Sequence, residues 1–162
     1  MPWPMVSSVG WERNDEQESG VVEAHKEVVR RIVHEVFEQG KLELVDELLA
    51  EDFVDHSLQH ALFFGADSGR EGFKKMTMLA RAGVHDLTAE LDLVVAEGDL
   101  VAARVLAKGV HGGELLGVPP TGRPVDLADY HYFRFRDGKV REHWNQFNAL
   151  EVLQQLGAIA QP

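Results

Sequence analysis

The spacing of apolar residues along the chain changes period once, near Gly83. Before that point Val21, Val22, Val28, Val29, Ile32, Val33, Val36 and Phe37 recur at three- and four-residue intervals, which predicts an amphipathic helix over 21–40 ended by Gly40. A shorter helix is expected over 42–49 on Leu44, Val45, Leu48 and Leu49. Gly65, Ser68 and Gly69 mark a loop, and residues 70–82 predict a third helix with Phe73, Met76, Met78 and Leu79 inward. Beyond Gly83 the pattern alternates: Leu87, Ala89, Leu91 and Leu93 predict a strand over 87–96, a tight turn at 97–99 and a second strand over 100–112. The segment LLGVPPTGR at 115–123 is a loop, because its prolines and glycines do not suit a paired strand. Strands over 125–136 and 139–147 flank Asp137-Gly138, a hairpin signature, and Asn148 is placed to cap a closing helix over 149–157. Helices first and antiparallel strands afterwards predict an α+β fold in which a curved sheet wraps around the helices.

On this pattern residues 21–162 form one domain and residues 1–20 a flexible tail. Trp3 and Trp11 belong either to a loose tail or to an arm packed on a neighbouring subunit or over a pocket mouth. Charge narrows the partners. With 16 Lys and Arg against 27 Asp and Glu, the 162-residue chain carries a formal charge of −11, which argues against nucleic acid or an anionic membrane surface as a partner. The absence of cysteine excludes disulfides, thiolate metal sites and a cysteine nucleophile, and fits a reducing compartment. Nothing in the first twenty residues has the apolar run of a signal peptide or membrane span, so a cytoplasmic location is expected. No glycine-rich phosphate loop or other cofactor motif is present, and no cofactor is expected.

Four segments carry a more specific signal: VVRRIVHEVFEQGKLELVDELLAEDFVDH at 28–56, GREGFKKM at 69–76, ELLGVPPTGRPV at 114–125 and HYFRFRDGKVREHWNQFNALEVLQQLG at 131–157. In this order they resemble the SnoaL-like polyketide cyclases, or ester cyclases, of the nuclear transport factor two-like superfamily, over roughly residues 25–157. The resemblance implies a cone-shaped barrel of curved antiparallel sheet around the N-terminal helices. It also implies a homodimer or homotetramer, and metal-free, cofactor-independent ring closure of a hydrophobic polyketide by aldol addition. Such chemistry needs a carboxylate base in a dry pocket and donors aimed at the developing oxyanion. The resemblance places the family's acid or base three residues after Glu142, where this chain has Asn145, an amide that does not accept a proton at neutral pH. It matches the pocket histidine to His131 and further pocket positions to Asp129, where one type carries an amide, and to Asp55.

Strand alternation adds detail. Asp129, His131, Phe133 and Phe135 share one face of their strand, and His143, Asn145 and Phe147 one face of the next. Together with the positions that the resemblance implies, this makes His131, Asp129, Asp55 and Asn145 the candidate catalytic set, with His143, Phe37, Phe53, Phe73, Met76 and Phe133 as candidate substrate-binding residues. Glu142 and Trp144, on the opposite face, suit packing and ion pairing. Asp55, His56, His60, His131 and His143 have the ligand types of a zinc or iron site, but there is no HExxH or paired-histidine helix motif and no metal is expected. Two other functions remain open: an epoxide hydrolase, for which Arg104 is the one arginine in a central strand but lacks an aspartate two residues away, and a non-catalytic module binding small apolar ligands.

Overall fold

A computed structural model describes residues 12–160, so Trp3 and Trp11 lie outside the described residues. Helix α1 spans Glu12–Arg31 and widens into a π-helical segment, Ile32–Glu38. Gly40, at φ 73°, then turns the chain. The helix starts nine residues before the predicted Val21. Residues 16–20 are exposed, so this polar extension leaves no apolar stripe for periodicity to detect. A single 3-10 turn, Leu42–Leu44, leads to the short α2, Val45–Leu48.

Two elements depart from the expected pattern. Leu49–Asp55 is a strand, β1, and Leu58–Phe64 is a helix, α3, ended by Gly65 in the left-handed region at φ 56°. Helix α4, Arg70–Gly83, precedes β2, Val84–Glu97, and β3, Leu100–His111. The hairpin β4, Pro124–Arg136, and β5, Lys139–Phe147, turns at Asp137 and Gly138 as predicted. Asn148 caps α5, Ala149–Gln155, its side chain accepting from Glu151 N–H at 3.2 Å.

The sheet order is β1-β5-β4-β3-β2. Three of the four pairings are antiparallel, and β1 joins β5 in parallel, with Asp55 opposite His143. The fold is thus the expected α+β curved sheet over helices, but open rather than a closed barrel, with β1 and β2 as its two edges. Val29, Ile32, Val33 and Val36 of the first helix are fully buried against the inner face of the sheet, meeting Val101, Val105, Phe133 and Phe135. On the outer face Leu93, Val95, Tyr130 and Tyr132 are exposed. Among the described residues no helix is long and apolar enough to cross a membrane.

Candidate active site

Alternation along the β4–β5 hairpin turns His131, Phe133, His143 and Asn145 inward, and the register pairs His131 with Asn145 and Phe133 with His143. The parallel edge strand adds Asp55 beside His143, and α3 adds His60. A continuous chain of contacts results. His60 Nδ1 lies 2.6 Å from Asp55 Oδ2, and His143 Nδ1 lies 3.1 Å from Asp55 Oδ1. His143 Nε2 is 3.0 Å from His131 Nδ1, and His131 Nε2 is 3.3 Å from Asp129 Oδ2. Asn145 Nδ2 donates to Asp129 Oδ1 at the far end. The contact of His131 with Asp129 is close enough for an ion pair but lacks hydrogen-bond alignment.

Charge states give the chain a direction. Burial would raise the pKa of Asp55, but hydrogen bonds from His143 and His60 outweigh it and hold the carboxyl well below its usual range. Burial likewise opposes ionisation of Asp129, yet the nearby His131 and the hydrogen bond from the Asn145 amide lower its pKa. Burial dominates at His143 and pushes the ring down to about 4, despite the raising influence of Asp55. His143 is therefore neutral at pH 7. Because Asp55 is a carboxylate that only accepts, the His143 proton sits on Nδ1, and Nε2 accepts from His131 Nδ1–H. That leaves Nε2 as the ring nitrogen through which His131 exchanges a proton with Asp129 or a ligand.

Asp129, His131 and His60 line a cavity of about 120 Å³ whose other walls are mostly apolar, including Phe37, Phe64, Met76, Val105, Leu115, Leu127 and Phe147. Arg81 also lines it, but its guanidinium is committed to the carbonyls of Phe37 and Glu38. Thr77 donates its hydroxyl to Phe73 O at 3.0 Å. The cavity thus has an apolar body and one polar end, the arrangement of a site that binds by shape and reacts at one place.

The fold and the cavity fit the expected architecture, and a family model decides the relationship: that of the SnoaL-like polyketide cyclases matches residues 27–156. The chain belongs to that family. It is 33% identical over 126 residues to nogalonic acid methyl ester cyclase of Streptomyces nogalater, covering 75% of this chain and 89% of that protein. It is 31% identical over 133 residues to aklanonic acid methyl ester cyclase DnrD of Streptomyces peucetius, covering 81% and 89%. Among solved structures, IdmH of Streptomyces antibioticus superposes with a TM-score of 0.70 at 36% identity, over 82% of this chain and 98% of that one. TsrD of Streptomyces laurentii gives 0.75 at 25% identity, over 85% and 97%.

Within this SnoaL-like frame the candidate residues divide. Asp129, His131, Phe37 and Met76 line the cavity as expected. Asp55, His143 and Asn145 join the same network but lie behind its wall, so His143 is a link in the network rather than a substrate contact. Phe53, Phe73 and Phe133 do not line the cavity either. They pack underneath, Phe133 with its centroid 4.8 Å and Phe73 5.5 Å from that of His143, and Phe53 edge-on to Phe73 at 5.6 Å. Arg104, the arginine on which the epoxide hydrolase alternative rests, points to the outer face, where it pairs with Asp92 at 3.0 Å. Glu142 bonds His56 at 3.1 Å and Trp144 stacks on that same ring at 4.7 Å, the packing roles predicted for both.

Of the ligand-type residues, Asp55, His60 and His143 bring three potential ligand atoms within 4.8 Å of one another. The 2.6 Å separation of His60 Nδ1 and Asp55 Oδ2 is that of a hydrogen bond. Two ligands of one tetrahedral ion with bonds near 2 Å stand about 3.3 Å apart. Hydrogen bonding therefore accounts for the cluster. His60 is the cavity residue missed as an acid–base candidate, because the helix that carries it has no stripe long enough to register in the sequence.

Proposed function

We propose that this chain is a cofactor-independent cyclase that closes a ring in a hydrophobic, polyketide-like carbonyl substrate by acid–base catalysis. The observation that carries the reading is the pairing of Asp129 with Asn145: the family's carboxylate position holds an amide, and the carboxylate stands on the neighbouring strand in contact with it. Asp129 removes a proton from the carbon next to a carbonyl. The electron pair moves to the carbonyl oxygen, near His131 Nε2, and the enolate carbon then attacks a second carbonyl of the same chain. Asn145 holds Asp129 in its ionised form and His143 fixes the His131 ring, so neither has to touch the substrate. The apolar wall excludes water, which would otherwise quench the enolate.

Incubation of the purified protein with nogalonic and aklanonic acid methyl esters, followed chromatographically, tests this directly. Conversion to an isomer of unchanged mass is expected. If neither ester is converted while hydrophobic ligands bind saturably, the chain is a binding module instead.

The self-association implied by the resemblance would use the outer sheet face with Leu93, Val95, Tyr130 and Tyr132. Sedimentation should then show a species larger than a monomer that Tyr132→Glu dissociates, and a monomeric wild type would reject it.

A further inference from the structure

Among the described residues, the one titratable side chain lining the cavity besides Asp129, His131 and the committed Arg81 is His60. Its backbone is firmly placed. The neighbouring Gln59 makes two hydrogen bonds to the backbone of Phe147, donating to its carbonyl and accepting from its N–H, each at 3.0 Å, which fastens α3 to the end of β5. The His60 ring is buried and stacked at 5.8 Å on His143, which in turn stacks at 5.3 Å on His131. Two histidines thus reach the cavity from either side of one that does not.

Its protonation pattern is fixed from behind. Asp55 accepts from Ser57 N–H at 2.9 Å, from His143 at 3.1 Å and from His60 Nδ1 at 2.6 Å. A carboxylate with three donors has no proton to offer, so Nδ1 of His60 carries one. Nε2 has no hydrogen-bond partner among the described residues, and it is the nitrogen left for a ligand. Donation from Nε2 requires a proton on both ring nitrogens, and the Asp55 carboxylate 2.6 Å from Nδ1 stands opposite the charge that this form carries.

We propose that His60 is a second acid–base residue of the cavity, giving a proton from Nε2 to the substrate oxygen while Asp129 takes one from carbon. This rests on the cyclase reading above. In the step, the C–H bond breaks toward Asp129, the new C–C bond forms from the enolate carbon, and the π bond of the attacked carbonyl breaks. Its oxygen forms an O–H bond with the proton from His60. After product release Asp129 loses a proton to water and His60 regains one, so the net reaction is an isomerisation. Asp55 is a positioning residue that acts through His60.

The two halves of the reaction separate in deuterated water with aklanonic acid methyl ester as the probe. His60→Gln can donate a hydrogen bond but cannot surrender a proton. It should slow ring closure about 100-fold or more while still exchanging the substrate's acidic C–H for deuterium, whereas Asp129→Asn should lose both. Ring closure at the wild-type rate in His60→Gln overturns the inference and leaves the role of Asp129 standing. Loss of both exchange and closure in a folded His60→Gln also overturns it, because His60 would then act through Asp129. If the wild-type enzyme converts neither ester, the inference falls together with the reading beneath it. Should His60→Gln fail to fold, nitrogen NMR of wild-type histidine rings decides the matter. Binding of the ester must shift the His60 Nε2 resonance, and an unmoved resonance rejects the proposal.

Discussion

Asp129→Asn lowers the rate of ring closure by about 100-fold or more, and adding Asn145→Asp to the same chain restores only part of the loss, because position 145 lies behind the cavity wall. The expectation follows from the contact between the two side chains, in which the Asn145 amide donates to Asp129 Oδ1. Exchanging them keeps one carboxylate, one amide and one hydrogen bond across the hairpin. It also puts the carboxylate at the position that the resemblance assigns to the family's acid or base. Asn145→Asp alone behaves differently, since it sets two carboxylates against each other and forces them to share a proton. It should therefore be slower than wild type at neutral pH, where the shared proton occupies the base, and recover as the pH rises. The double-mutant cycle on kcat, with melting temperatures as a control for folding, reads the coupling directly. A double variant no faster than Asp129→Asn would show that the base must stand on β4, and that the amide and carboxylate are not interchangeable.

How much of this site the sequence reveals depends on how local each part is. The β4–β5 hairpin is legible because alternation and the Asp-Gly turn are both short-range signals, and together they place His131, His143 and Asn145 on one wall. The Asn145 substitution is legible through the resemblance alone. What escapes is what β1 and α3 bring. Strand β1 has Glu51 and Asp52 exposed at its centre and a single fully inward aromatic, Phe53, so its seven residues show neither period clearly. Its pairing joins Asp55 to His143 across 88 positions, a distance over which spacing carries no information. Helix α3 likewise exposes Leu58 and Leu62 while burying His60, the reverse of an amphipathic stripe. The aromatic residues err the other way. Phe53, Phe73 and Phe133 have the composition of a pocket lining, but their packing beneath His143 gives the buried ring its apolar surroundings.

Those surroundings set a pH limit on the fold, and folded-state stability should decline as the pH falls from about 6.5 toward 4. His143 has no exposed surface, and burial holds its folded-state value at about 4, against 6.5 for the free side chain. A histidine depressed on folding binds its proton more readily in the unfolded chain. Its contribution is complete above the unfolded value and is lost as the pH drops through the interval between the two. A shift of this size corresponds to roughly 3 kcal/mol. Asp55, also lowered on folding, adds a loss of the same sign at still lower pH, below its unfolded value of 3.8. Urea unfolding at steps between pH 7.5 and 4.5 measures the slope, and His143→Phe supplies the comparison. That variant is less stable at neutral pH, because Asp55 loses a donor, but its stability should vary less over the window. Parallel slopes for the two proteins would reject the assignment. The same proton has a second effect, since a charged His143 ring has no lone pair at Nε2 and cannot accept from His131 Nδ1–H. The event that weakens the fold therefore also releases the ring facing Asp129, so catalysis should fail on the acid side at or before the loss of structure.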